Sequence, residues 1–83
     1  MIRPDPEHEG AWLIEAQSLI ESFNEQFDTE FVGEGVETIG GLLLAQLGRV
    51  NNLVGQIVDL DGWHFTVLEA DARSMRLLRV TQQ

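Results

Sequence analysis

The sequence contains no cysteine, no lysine and no long apolar run, and only two of its 83 residues are proline. The absence of cysteine excludes disulfide bonds and thiolate metal sites, so the core must hold by packing alone or by docking onto another structure. No apolar stretch approaches the roughly 20 residues that cross a bilayer. Behind Arg3 there is no apolar segment of the signal-peptide kind. We therefore expect a cytoplasmic domain with no direct membrane insertion.

Because lysine is absent, only five arginines oppose 14 acidic residues, and the formal net charge is −9. A surface of this sign repels phosphate backbones and anionic lipid headgroups, which argues against nucleic acid as a partner. Hydrophobic residues make up 43% of the chain and charged residues 23%, the balance of a globular protein. A chain of this length can build only one core.

The two prolines and three carboxylates of the opening residues favour an extended, solvated segment. We accordingly predict an acidic, proline-containing linker over residues 1–9 and a single domain over residues 10–83. The domain is expected to begin with a strand over residues 11–16, which combine apolar, aromatic and β-branched side chains.

Two helices are expected next. Ser18 and Glu21 form a Ser-x-x-Glu capping box, which predicts that the first helix starts there. Its apolar residues fall on one face at helical spacing: Leu19, Ile20, Phe23 and Phe27. Thr38 is a suitable N-cap for a second helix over residues 39–47, which Gly48 would close.

The last third of the chain predicts three strands, over residues 54–60, 63–70 and 74–81. Asp61-Gly62 is a strong two-residue hairpin signal, because both positions tolerate positive φ. Alternation places three apolar side chains of the middle strand on the face toward the helices: Trp63, Phe65 and Val67. The fold class is therefore α+β, a two-layer sandwich in the order β-α-α-β-β-β with a largely antiparallel sheet.

No residue pattern predicts chemistry. His8 and His64 have no partner at metal-ligand spacing, and no serine lies in a nucleophile-elbow context. Gly33-Glu34-Gly35, followed by Gly40-Gly41, fits neither a dinucleotide fingerprint nor a P-loop, and its glutamates would repel a phosphate. We assign no catalytic, cofactor-binding or metal-binding residue, and we expect the chain not to be an enzyme.

A different set of residues resembles the motifs of a known family. Thr-x-Gly-Gly and Leu-Gly-Arg elements occur in the order found in the transporter-associated domain of CorC/HlyC proteins, often labelled hemolysins. The matching residues, expected to be structural, are Glu37, Thr38, Gly40, Gly41, Leu47, Gly48, Arg49, Gly55 and Phe65. The resemblance covers roughly residues 10–81. It departs at Asn51-Asn52, where the family usually has a proline, and at Glu15-Ala16, where a glycine is common.

The resemblance implies a non-catalytic cytosolic accessory domain that regulates a CBS-containing magnesium and cobalt efflux protein. Its implied partners are the CBS domains and a membrane domain of the parent protein, or a second copy in a homodimer. The domain would then be the cytosolic tail of an inner-membrane protein. The fold also resembles an FAD-binding (PCMH-like) subdomain. This resemblance is the only reason to consider FAD as a cofactor, and we expect no cofactor in this domain. The alternatives are a flavin- or nucleotide-binding module and an adaptor in a soluble CBS protein unconnected with transport.

Overall fold

The computed structural model describes residues 2–83. Met1, the first residue of the predicted linker, lies outside the described residues. The elements in chain order are β1 (Ile2–Pro4), β2 (Ala11–Glu15), α1 (Ile20–Phe27), α2 (Ile39–Leu47), β3 (Ile57–Leu60), β4 (Trp63–Ala70) and β5 (Met75–Gln82).

The five strands form one sheet in the order β1-β2-β5-β4-β3, and every neighbouring pair is antiparallel. The last strand, β5, lies at the centre between β2 and β4. Both helices lie in the connection from β2 to β3, and their buried side chains share one core with the strands. The predicted two-layer α+β fold with an antiparallel sheet is confirmed.

The N-terminal segment differs from the linker that the sequence predicts. Ile2–Pro4 pairs with β2 as an edge strand. Asp5, which follows it, is buried, and its carboxylate accepts hydrogen bonds from Arg79 Nε and from the Glu7 backbone N–H, both at 2.9 Å. Backbone pairing and this long-range ion pair thus hold residues 2–5 on the sheet, although their composition alone is typical of solvated chain.

The start of α1 also differs from the prediction. Its N-cap is Leu19, with no side-chain cap hydrogen bond, and not Ser18. The Ser18 carbonyl instead accepts from the Ile39 N–H at 2.9 Å, and Leu19 forms an isolated antiparallel bridge with Thr38. These contacts keep the backbone extended through Leu19, so the helix starts at Ile20. Leu19 is 46% exposed and does not belong to the buried stripe.

The predicted limits of α2 and the predicted turn between β3 and β4 agree with the structure. Helix α2 has the predicted limits, Thr38 is its N-cap and Gly48 its C-cap. Asp61 and Gly62 have φ values of 53° and 86°, as their tight turn requires. Strand β3 is shorter than predicted, because regular pairing begins only at Ile57.

All six aromatic residues of the chain meet in one cluster. Phe23 of α1 is fully buried, and its ring centroid lies 5.6 Å from that of Trp63 and 5.7 Å from that of Phe65. Trp12 of β2 contacts Phe27 edge-on at 5.3 Å, and Phe31 packs on Phe23. Trp63, Phe65 and Val67 are buried, which confirms the face predicted for them.

Candidate functional site

The Thr-x-Gly-Gly element fixes the start of α2 against the end of β2. Thr38 Oγ1 accepts a hydrogen bond from the Gly41 N–H at 3.0 Å and thereby caps the helix. The Gly40 N–H donates to the Ala16 carbonyl at 2.8 Å. A Cβ atom at Gly40 would lie 3.0 Å from both the Ala16 Cβ and its carbonyl oxygen. Glycine is therefore needed here for close approach between helix and strand.

The remaining family-motif residues lie elsewhere in the fold. Leu47 ends α2, and Gly48, with φ of 69°, donates its N–H to the Leu44 carbonyl. Gly55, with φ of 89°, donates to the Val67 carbonyl at 2.8 Å, while Phe65 is fully buried. These positions serve the backbone and the core, and the structure does not bring them together into one pocket.

Arg49 is the exposed charged residue of the Leu-Gly-Arg element. It lines an open cavity of about 300 Å³ together with Arg73 of the β4–β5 turn. The loop of residues 50–53 forms another wall of this cavity. No carboxylate among the described residues lines this cavity, so its two charged lining residues are both positive.

A groove of about 460 Å³ runs beside the start of α2, between α1 and the loop of residues 31–37. We call it the α1 groove. Its apolar lining includes Leu19, Ile20, Phe31, Val32 and Val36, and its charged lining residues are Glu21 and Glu37. Glu37 is the family-motif residue that reaches this groove.

Sequence reasoning did not identify the α1 groove. Helical spacing places Leu19 on the buried face of α1, and no sequence motif includes Val32 or Asn24. The only local signal is the apolar pair Phe31-Val32 inside an acidic, glycine-containing loop. One member of that pair is turned into the aromatic cluster, whereas Val32 is 76% exposed.

The two histidines each contact a carboxylate. His64 Nδ1 lies 2.5 Å from Asp59 Oδ1 on neighbouring strands, and His8 Nδ1 lies 3.3 Å from Asp5 Oδ2. The Ser74 hydroxyl donates a hydrogen bond to Asp71. His64 pairs with Thr81, at the other end of β5. Ser74 and Thr81 are therefore separated by about 23 Å along the strand, at 3.3 Å per residue. Ser74 therefore lies far from the His64–Asp59 pair.

The pKa values of the Asp5 and Asp71 carboxylates are lowered. The Arg79 guanidinium, helped by the Glu7 N–H, lowers the pKa of Asp5, and the backbone N–H groups of Arg73 and Ser74 lower that of Asp71. The Asp5 shift comes mainly from a long-range ion pair with β5, and the Asp71 shift comes from hydrogen bonds within the β4–β5 turn. Among residues 2–83, no group of three or more His, Cys, Asp or Glu side chains is placed to share a metal ion.

Neither helix within residues 2–83 is long and apolar enough to cross a lipid bilayer.

The candidate site therefore consists of three features: a capped, tightly packed helix start, an apolar groove with acidic residues beside it, and a small arginine-lined cavity.

Comparison with known proteins identifies sequences and structures that are similar to this chain. Over 69 residues, or 83% of this chain, the sequence is 42% identical to the magnesium and cobalt efflux protein CorC of Escherichia coli. Those residues make up 23% of the CorC chain, so this sequence spans about a quarter of the length of the curated relatives that it matches.

Solved structures share the fold. The CorC-associated region from Neisseria meningitidis superposes with a TM-score of 0.88 at 35% identity, covering 99% of this chain and 98% of that one. The transporter-associated domain of a CBS domain protein from Porphyromonas gingivalis superposes with a TM-score of 0.73 at 22% identity, covering 89% and 90% of the two chains. The family model described as the CorC/HlyC transporter-associated domain matches residues 5–83. The chain belongs to the CorC/HlyC family of transporter-associated domains.

Proposed function

We propose that this chain is a non-catalytic, cytosolic regulatory domain of a larger CBS-containing protein that exports magnesium and cobalt. The observation that carries the proposal is the 42% identity to CorC over most of this chain, combined with its coverage of only 23% of CorC. A folded module that matches one quarter of an efflux protein is well suited to an accessory role. The Porphyromonas relative, described as part of a CBS domain protein, supports CBS domains as the neighbouring partner.

The mechanism would be conformational. A domain without catalytic groups or a cofactor of its own can influence transport only by binding one conformation of its neighbours more tightly than another. The membrane region of the parent protein would supply the permeation pathway. This domain would bias its gate through the CBS pair, and it would do so from the cytosolic side of the inner membrane.

Truncation of the parent protein tests this proposal. We expect a protein lacking residues 10–83 of this chain to fold and to keep its permeation pathway. Its divalent-cation efflux should show an altered dependence on cytosolic magnesium or nucleotide, because the differential contact with the CBS pair is lost. The measurement is cation flux from vesicles holding equal amounts of truncated and intact protein.

Two results would contradict the regulatory role. Identical dependence on magnesium and nucleotide would leave a purely structural or assembly function. Complete loss of flux from a correctly folded truncated protein would make the domain part of the transport machinery itself.

A further inference from the structure

We propose that the α1 groove binds a positively charged segment with aliphatic side chains, contributed by another region of the parent protein. This inference rests on the proposed function, because it names the chemistry by which the domain would contact its neighbours. It concerns a surface to which Glu37 alone of the family-motif residues contributes.

The first argument is the exposure of large apolar side chains. Among residues 2–83, four large hydrophobic side chains are exposed: Leu19, Val32, Val54 and Ile57. Leu19 and Val32 both line the α1 groove, where they are 46% and 76% exposed. Exposed apolar side chains that line one concave surface mark a contact site for an apolar partner.

The second argument is that both walls of the groove are already ordered. The Asn24 side chain accepts from the Phe31 N–H and donates to the Phe31 carbonyl, both at 2.9 Å, which fixes the backbone just before Val32. On the other side, the Leu19–Thr38 bridge and the hydrogen bond from the Ile20 N–H to the Glu37 carbonyl hold Leu19 in place. Binding of a partner would therefore carry only a small free-energy cost for ordering this surface.

Gly33 supports the same conclusion. A Cβ atom there would lie 2.3 Å from the Val36 carbonyl oxygen and 2.5 Å from Ile20 Cδ1. The loop is thus packed closely against α1 at the floor of the groove. The apolar surface is a fixed feature of the fold.

Charge complementarity selects the occupant. Glu21 and Glu37 line the groove, and no arginine does. The whole chain carries a formal charge of −9. A second copy of the chain would bring the same negative charge to this surface, whereas a segment bearing lysine or arginine would be attracted. The groove therefore fits a cationic segment whose aliphatic side chains contact Leu19 and Val32.

The absence of cysteine allows site-directed crosslinking in the full-length protein. Val32→Cys would carry a photoactivatable thiol label, in a parent protein whose other cysteines have been replaced. Ile57→Cys is the matched control, because Ile57 is a 51% exposed apolar residue of β3 that does not line the groove. Crosslinked peptides would be identified by mass spectrometry.

We expect the label at position 32 to give an adduct with a segment of the parent protein that carries lysine or arginine beside aliphatic residues. The yield should be several-fold above that at position 57. It should fall several-fold in the Glu21→Gln/Glu37→Gln double variant, and also at about 0.5 M salt, where charge interactions are screened over distances well below 10 Å. Circular dichroism of each variant verifies that the domain remains folded.

Several results would overturn the inference. These are an adduct with a second copy of this domain, an adduct with an acidic segment, a yield at position 32 no greater than at position 57, and a yield unaffected by the glutamine substitutions. The truncation experiment is independent of this one. A cationic adduct with unchanged transport would reject regulation but keep the docking site, and altered transport without an adduct would reject the docking site alone.

Discussion

Phe65 shows how strongly single residues hold this small core. Its side chain is fully buried, and it contacts Phe23 and Phe31 from the helical layer. Phe65→Ala would remove the aromatic ring and leave a cavity between sheet and helices. We expect a loss of about 3 to 5 kcal/mol in the free energy of unfolding, measured by urea titration.

The control for this substitution is Ile57→Ala on the neighbouring strand. Because Ile57 is half exposed, its truncation should cost less than about 1 kcal/mol. A loss below about 1 kcal/mol for Phe65→Ala would show that the aromatic cluster does not form the core of the domain.

At the scale of elements, α2 depends on its first turn. The Thr38 hydroxyl is the cap acceptor for the Gly41 N–H, so Thr38→Val keeps the shape of the side chain and removes the acceptor. We expect Thr38→Val to destabilise the domain by about 1 kcal/mol, whereas Thr38→Ser should remain within a few tenths of wild type. Thermal or urea unfolding of the three proteins provides the comparison. A larger loss in Thr38→Ser than in Thr38→Val would mean that the methyl group, and not the cap, is what matters at this position.

Helix α2 and the β3–β4 hairpin were predictable from sequence because their signals are local. The start of α2 is determined by Thr38, whose hydroxyl accepts a hydrogen bond from the backbone N–H three residues later. Its end is determined by Gly48, a glycine with positive φ. Asp61-Gly62 fixes the hairpin in the same way. The start of α1 was predicted wrongly because its capping box competes with contacts from Thr38 and Ile39, which lie about 20 residues away in sequence.

At the scale of the whole molecule, Asp5 links the N-terminal segment to the central strand. The pKa of Asp5 is lowered by Arg79, so it is lower in the folded state than in the unfolded chain. Such a group stabilises the fold fully above its unfolded pKa of about 3.9, and this contribution is lost as the pH falls through the folded value. We therefore expect Asp5→Asn to be less stable than wild type at pH 7, and the difference to shrink below about pH 4.

Urea unfolding of the two proteins from pH 7 to pH 2.5 measures this effect. Glu9→Gln is the control, because Glu9 is an exposed carboxylate of the same segment. A difference between wild type and Asp5→Asn that stays constant across this range would contradict the role of the Asp5 charge. A matching pH profile in Glu9→Gln would assign the effect to net charge alone.

The sequence by itself determined the α+β class, the limits of α2 and the inward face of β4. Each of these follows from residues close together in the chain: caps, turn residues with positive φ, and side chains that alternate along a strand. The Thr-x-Gly-Gly and Leu-Gly-Arg elements, read in order, likewise indicated the family that the comparisons established.

Only the tertiary structure decided that residues 2–4 join the sheet and that Leu19 and Val32 line the α1 groove. Both outcomes depend on contacts between segments far apart in sequence: the Arg79–Asp5 ion pair, the Leu19–Thr38 bridge and the Asn24 side chain holding residue 31. Composition made the first segment resemble a linker, and helical periodicity assigned Leu19 to the core. Composition and periodicity do not report long-range hydrogen bonds or ion pairs, because these contacts form only once the chain has folded.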